Sequence, residues 1–175
     1  MRHIISILLE NQAGALARVA GLFSTRGYNI ESLNVAPTDN EAVSRLTVVT
    51  TGSDEVIQQI SKQVGKLVDV VDIVDMTRMD HIERELALFK VRAPESSKKR
   101  LAKLLEEFGG HVLAYDEGHG TLELVGNGPE IDRFMDAVAD LAEIESVVRS
   151  GAMAMARGAK IMIQTEDSHG ADSVR

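Results

Sequence analysis

The chain has 175 residues, 44% hydrophobic and 26% charged, a balance that suits a folded globular protein and excludes general disorder. Its formal net charge of -8 is the wrong sign for a polyanion-binding protein, because nucleic-acid affinity rests on clustered Lys and Arg. With no Cys and no Trp, disulfides, thiolate nucleophiles and thiolate metal sites are excluded, and the core has to be mainly aliphatic.

The first half predicts strand, helix, strand, strand, helix, strand. Residues 3–9 are rich in Ile and Leu, as a buried strand would be. After the polar Glu10-Asn11-Gln12 and the tiny Ala13-Gly14-Ala15, apolar residues at Leu16, Val19, Ala20 and Phe23 follow helical spacing. Gly27 suits the left-handed position after that helix. Strands are predicted over 28–36 and 43–51, separated by the turn residues Pro37-Thr38-Asp39-Asn40. Ser53 or Asp54 caps a second helix that turns Val56, Ile57, Ile60 and Val64 inward and stops at Gly65; residues 67–74 complete the set.

The same order then recurs. A strand over 83–93 meets Pro94-Glu95-Ser96-Ser97, a break and a cap, before a helical stripe of Leu101, Leu104, Leu105 and Phe108 that Gly109-Gly110 ends. Strands over 111–115 and 121–126 flank Asp116-Glu117-Gly118-His119-Gly120, which is hairpin chemistry. Gly126-Asn127-Gly128 reads as a cap, with Pro129 at the tolerated start of a helix bearing Ile131, Phe134, Met135 and Val138. Residues 144–149 form the closing strand. Residues 151–163 are apolar and Met-rich without clear period; their methionines either fill the core or offer an adaptable surface.

The fold class is therefore α+β: two ferredoxin-like βαββαβ domains, each an antiparallel sheet with helices on one face. The other sheet face is expected to be bare and to need a partner or a second copy. No apolar run approaches the roughly 18 residues of a membrane span. The start Met1-Arg2-His3-Ile4-Ile5 has no apolar h-region, so a cytoplasmic location and no membrane partner are expected.

Catalytic constellations are missing. His3, His81, His111, His119 and His169 are scattered, with no i, i+4 pair beside a carboxylate, so no metal ligand is assigned. There is no G-x-S-x-G elbow and no phosphate-binding G-x-x-x-x-G-K-[ST] loop. Glu106-Glu107 at a helix C-terminus and Lys98-Lys99-Arg100 at a helix start read as solvated surface. RNA-recognition sheets share the βαββαβ order but stack bases on exposed aromatics, and the candidate strand here offers Ser44, Arg45, Thr47 and Val49. No catalytic residue is assigned, and nucleic acid is not an expected partner.

The loop from Glu10 to Gly14 feeds a helix start, whose free N–H groups and dipole attract an anion such as a carboxylate. Ala13, Gly14 and Ala15 keep side chains short, and Asn11 and Asn29 carry amides that can serve a carboxylate or an ammonium. Leu16 and Ile30 can wall an aliphatic side chain. Together these describe a small amino acid, though plain turn and capping chemistry explains the same residues, and the choice stays open at this level.

The stretch "SILLENQAGALARVAGLFSTRGYNIESLNVAPT" resembles the opening of the small, regulatory subunit of acetolactate synthase (acetohydroxyacid synthase). "LVDVVDI", "HIERELALFKVRA" and "ARGAKIM" resemble that family in order and spacing, so the likeness runs to about Met162 and is strongest in the first half. The resemblance implies an ACT domain over 1–76, a linker over 77–82, a second ferredoxin-like domain over 83–163, and a polar tail at 164–175 expected to be disordered. It further implies a non-catalytic subunit that activates a large catalytic subunit and confers feedback inhibition by valine or another branched-chain amino acid. Thiamine diphosphate, magnesium and FAD are then expected on the catalytic partner, with no cofactor on this chain. The implied effector site lies between paired ACT domains of a homodimer. Asn11, Ala13, Gly14, Ala15 and Leu16 come from one copy, Asn29 and Ile30 from the other. The loop after Ala93 lacks the Ala-Gly-Ala signature, so no second effector site is expected there. A stand-alone ACT-type amino-acid sensor or scaffold for a different enzyme is the alternative.

Overall fold

A computed structural model of the chain describes residues 1–158 and Met162; the expected polar tail at 164–175 lies outside them. The chain divides into two compact units, the first Met1–His81 with the segment that begins at Ala154, the second Ile82–Met153.

The first unit contains β1 (Arg2–Glu10), α1 (Ala15–Thr25), β2 (Ile30–Pro37), β3 (Val43–Thr51), α2 (Asp54–Val64) and β4 (Val70–Asp75). Its antiparallel sheet has the order β2-β3-β1-β4. The register sets Ile5 opposite Val48 and Ile7 opposite Leu46, so these four share the face that meets the helices. Helix α1 supplies Ala15, Val19 and Phe23 at four-residue spacing, and α2 supplies Ile57, Ile60 and Val64. Burying each large aliphatic or aromatic side chain in this cluster is worth about 1.5–3 kcal/mol. Ser53 caps α2 as expected, its hydroxyl accepting from the Val56 N–H. Gly27 is left-handed at φ 71, as its place after α1 requires.

The expected bare face is corrected in this unit. Ile4, Ser6 and Leu8, which alternate with the helix-facing set, are buried, as are Thr47 and Val49 opposite them. With both faces covered, β1 reads as a continuous apolar run, and such a run cannot reveal an exposed side.

The second unit repeats the order with β5 (His81–Arg92), α3 (Lys98–Glu107), β6 (His111–Asp116), β7 (His119–Gly126), α4 (Gly128–Val138) and β8 (Glu143–Arg149), in a sheet ordered β6-β7-β5-β8. Ala87, Phe89 and Val91 of β5 face Leu101 and Leu105 of α3 and Ile131, Phe134 and Val138 of α4. Phe134 makes edge-on contacts with Phe89 at 5.2 Å and Phe108 at 5.4 Å, an aromatic knot in an otherwise aliphatic core. Asn127 and Glu130 form a reciprocal capping box at the start of α4. The hairpin turn is Glu117-Gly118, both at positive φ, which matches the twist of the flanking strands.

Two local expectations differ from the structure. Ser97 makes no side-chain cap: its N–H donates to the Pro94 carbonyl and its own backbone is already helical, at φ -97 and ψ -16, instead of the extended conformation that a capping side chain needs. A further short strand, β9 (Met153–Ala156), lies in the Met-rich segment. Alternation there buries Ala152 and Ala154 and exposes Met153 and Met155, so these methionines do not fill the core.

Candidate functional site

The loop between β1 and α1 is shaped by a short chain of backbone bonds. The Glu10 N–H donates to the Asp69 carbonyl, Asn11 N–H to Ala42, and Gln12 N–H to Glu10, all at 2.8–2.9 Å. Gly14 then adopts φ 88, a conformation that L side chains rarely take, and caps α1 without any side-chain bond. The Arg18 N–H is satisfied by the Gly14 carbonyl. The N–H groups of Leu16 and Ala17 have no acceptor among the described residues, leaving the positive pole of α1 open.

The predicted residues fall into two groups. Asn11, Ala13, Gly14, Ala15 and Leu16 come together at the start of α1. Asn11, Ala13 and Gly14 are exposed, and Leu16 is about one-third exposed as an apolar wall would be. Ala15 is buried in the core, so only its backbone faces the loop. Asn29 and Ile30 lie at the opposite end of α1, which at 11 residues is about 16 Å long. Asn29 is exposed with its carbonyl accepting from the Thr50 hydroxyl at 2.6 Å, and Ile30 is half-buried against the core. One chain therefore does not bring the two groups together.

Asn11 is less free than its position in the sequence suggests. Its Nδ2 donates to the Glu41 carbonyl at 2.9 Å, which ties the loop to the turn between β2 and β3. One of the two Nδ2 donors is thus engaged, and Oδ1 remains to accept from an ammonium.

Two charged residues were not among the predicted set. Arg18, one turn into α1, donates Nε and Nη2 to the two carboxylate oxygens of Asp69, the second at 2.6 Å. The Asp69 side chain is 5% exposed, that of Arg18 47%. The hydrogen bonds from Arg18 hold the Asp69 carboxyl below the usual Asp range, against a desolvation that works the other way. A Cβ at Gly14 would lie 3.1 Å from Arg18 Nη1, so the missing side chain leaves room for the guanidinium. Both residues carry a sequence signal: Arg18 is four residues after Gly14 on a helix, and Asp69 is a lone carboxylate among Leu67, Val68, Val70 and Val71.

Among the described residues there is no group of three His, Asp or Glu side chains placed to hold a metal ion, and no helix long and apolar enough to cross a membrane. His119 is paired with Glu145 at 2.6 Å, and Arg92 reaches the other oxygen of Glu145 at 2.8 Å.

Comparison with known proteins adds a consistent picture. A family model described as AHAS small subunit-like ACT domain matches residues 5–72, and one described as small subunit of acetolactate synthase matches residues 84–158. The chain is 44% identical over 162 residues to the acetolactate synthase isozyme 3 small subunit of Escherichia coli (strain K12), covering 93% of this chain and 99% of that protein. It is 44% identical over 160 residues to the acetolactate synthase small subunit of Haemophilus influenzae, covering 91% and 98%. The crystal structure of the acetolactate synthase small subunit from Thermotoga maritima is similar with a TM-score of 0.81 at 32% identity, covering 91% of this chain and 99% of that one.

Proposed function

The chain belongs to the family of acetolactate synthase small subunits, and on that premise we propose that it is a regulatory subunit that activates a large catalytic subunit and makes it answer to valine or another branched-chain amino acid. The observation that carries this reading is that both halves match the family, over nearly the full length of this chain and its relatives. In it, residues 1–76 are the ACT domain, 77–82 the link and 83–163 the second ferredoxin-like domain. Thiamine diphosphate, magnesium and FAD belong to the catalytic chain, and the assembly works in the cytoplasm.

The effector sits between two copies. The Asn11–Leu16 loop of one receives the amino acid, and Asn29 and Ile30 of the second close the site. Two features support the pairing. The two groups stand at opposite ends of α1 within one chain, and β2 is an edge strand whose outer backbone groups need cover. The open helix start favours the carboxylate, Asn11 Oδ1 accepts from the ammonium, and Leu16 meets the aliphatic side chain. An effector that prefers one arrangement of the pair shifts its population, and the bound catalytic subunit feels a coupling of about 1–3 kcal/mol.

Reconstitution of the catalytic subunit with and without this chain, each with and without valine, tests the reading. The chain should raise the rate and valine should lower the raised rate. Absence of activation overturns the subunit assignment; activation untouched by any branched-chain amino acid overturns the effector site.

A further inference from the structure

Resting on the reading of the Asn11–Leu16 loop as the effector site, we propose that Arg18 selects for the effector's carboxylate and that Asp69 is the buried group that positions it. Asp69 takes one N–H from Nε and one from Nη2, and this two-point grip fixes the plane of the guanidinium. Both N–H groups of Nη1 stay outside the pair and have no acceptor among the described residues. Nη1 lies over Gly14, at 3.1 Å from where a Cβ would sit, on the exposed loop rather than in the core.

The arrangement separates two jobs. The Asp69 carboxylate is almost fully buried and offers the ligand nothing directly; it holds the fork still. The half-exposed guanidinium presents one N–H of Nη1 beside the second N–H of Nη2 as a preset fork, and such planar paired donors suit a carboxylate better than an amide. A hydrophobic wall and an ammonium acceptor recognise any aliphatic amine, and the open helix start adds only neutral N–H donors and a partial charge. Among the described residues Arg18 is therefore the one full positive charge at the loop that separates an amino acid from its amide. A purely structural Arg18, present only to neutralise Asp69, would have no such consequence.

Titration calorimetry on the full chain with L-valine and L-valinamide decides between them. The wild type should bind valine about 10–100-fold more tightly than valinamide, the range expected for one charged hydrogen-bonding contact. In Arg18→Met the valine affinity should fall most of the way to that of valinamide, the helix start keeping a small preference, while the affinity for valinamide barely moves. Arg18→Lys, which keeps the charge and loses the fork, should recover only part of the ratio, and Asp69→Asn should lower it by loosening the guanidinium. Since Arg18→Met leaves a buried carboxylate alone, the double variant Arg18→Met/Asp69→Asn provides the same reading in a neutral background. If Arg18→Met weakens both ligands equally, or neither, the assignment of Arg18 is overturned while the loop site stands. If the wild type binds no branched-chain amino acid, the loop reading itself is overturned.

Discussion

The side-chain amide of Asn11 donates to the backbone carbonyl of Glu41 at 2.9 Å, joining the loop before α1 to the turn between β2 and β3. The bond is exposed, so its net contribution to stability is about 1 kcal/mol or less. Its larger effect is on geometry, because it fixes where Oδ1 points. Asn11→Ala should therefore shift the urea midpoint only slightly yet raise the valine concentration for half-inhibition at least tenfold. An inhibition curve that superposes on the wild type would remove Asn11 from the site.

Gly14 is constrained twice, by φ 88 and by the guanidinium of Arg18 beside it. Gly14→Asp costs about 1–2 kcal/mol in backbone strain and places a carboxylate where the effector's own is expected. Inhibition by valine should vanish while activation of the catalytic subunit survives, since β1 and the core of α1 are untouched. The measurement is a valine titration of the reconstituted enzyme at saturating variant subunit. Retained inhibition would show that the ligand lies elsewhere.

Acid stability should depend on Asp69. Its carboxyl is held below the ordinary value of 3.8 by the Arg18 hydrogen bonds, so between the folded and unfolded values the unfolded chain binds more protons. Stability from this pair is then fully present above about pH 4 to 5 and is lost as pH falls through the folded value. Glu145, lowered mainly by His119, acts in the same direction in the second unit. Urea midpoints measured from pH 7 down to pH 3 should fall for the wild type. In Asp69→Asn the neutral-pH midpoint should be lower and the acid limb shallower. Identical acid limbs would mean that the pair is not linked to folding.

What was legible in the sequence was local. Helical spacing of Val19 and Phe23, the left-handed Gly27, a cap at Gly126-Asn127-Gly128 and a hairpin within Asp116–Gly120 each depend on residues a few positions apart, while the reciprocal bond from Glu130 and the placing of the turn at Glu117-Gly118 came only with the structure. Non-local pairing was not legible. Arg18 and Asp69 are 51 positions apart, and only the fold shows that a lone carboxylate in an apolar run meets a guanidinium one turn into α1. β9 is four residues long, too short for a period, and its existence depends on the strand it meets. The burial of both faces of β1 and β3 was not legible either, because an unbroken apolar run does not say which faces are covered. Within the site, the loop could be read as a helix start, whereas the commitment of Asn11 to Glu41 needed the β2–β3 turn in place.

The second unit offers a test of the fold that does not involve any ligand. Arg149 donates Nε and Nη2 to Glu85 at 2.9 and 2.8 Å and Nη1 to Asp132 at 2.8 Å. Glu85 is 4% exposed at the start of the buried row on β5, so its charge has been taken out of water and depends on this partner. The same bonds push the Arg149 guanidinium well above the usual arginine value, so it stays charged at any pH the fold survives. Removing one member of a buried pair costs more than replacing both, because a lone buried charge is left behind. Arg149→Met should therefore cost about 3 kcal/mol, and Glu85→Leu/Arg149→Met much less. The chain has two tyrosines, Tyr28 in the first unit and Tyr115 in the second, so a Tyr28→Phe background lets Tyr115 fluorescence follow urea unfolding of the second unit alone. Equal destabilisation by the single and double variants would show that the pair is solvated and that Glu85 does not need it.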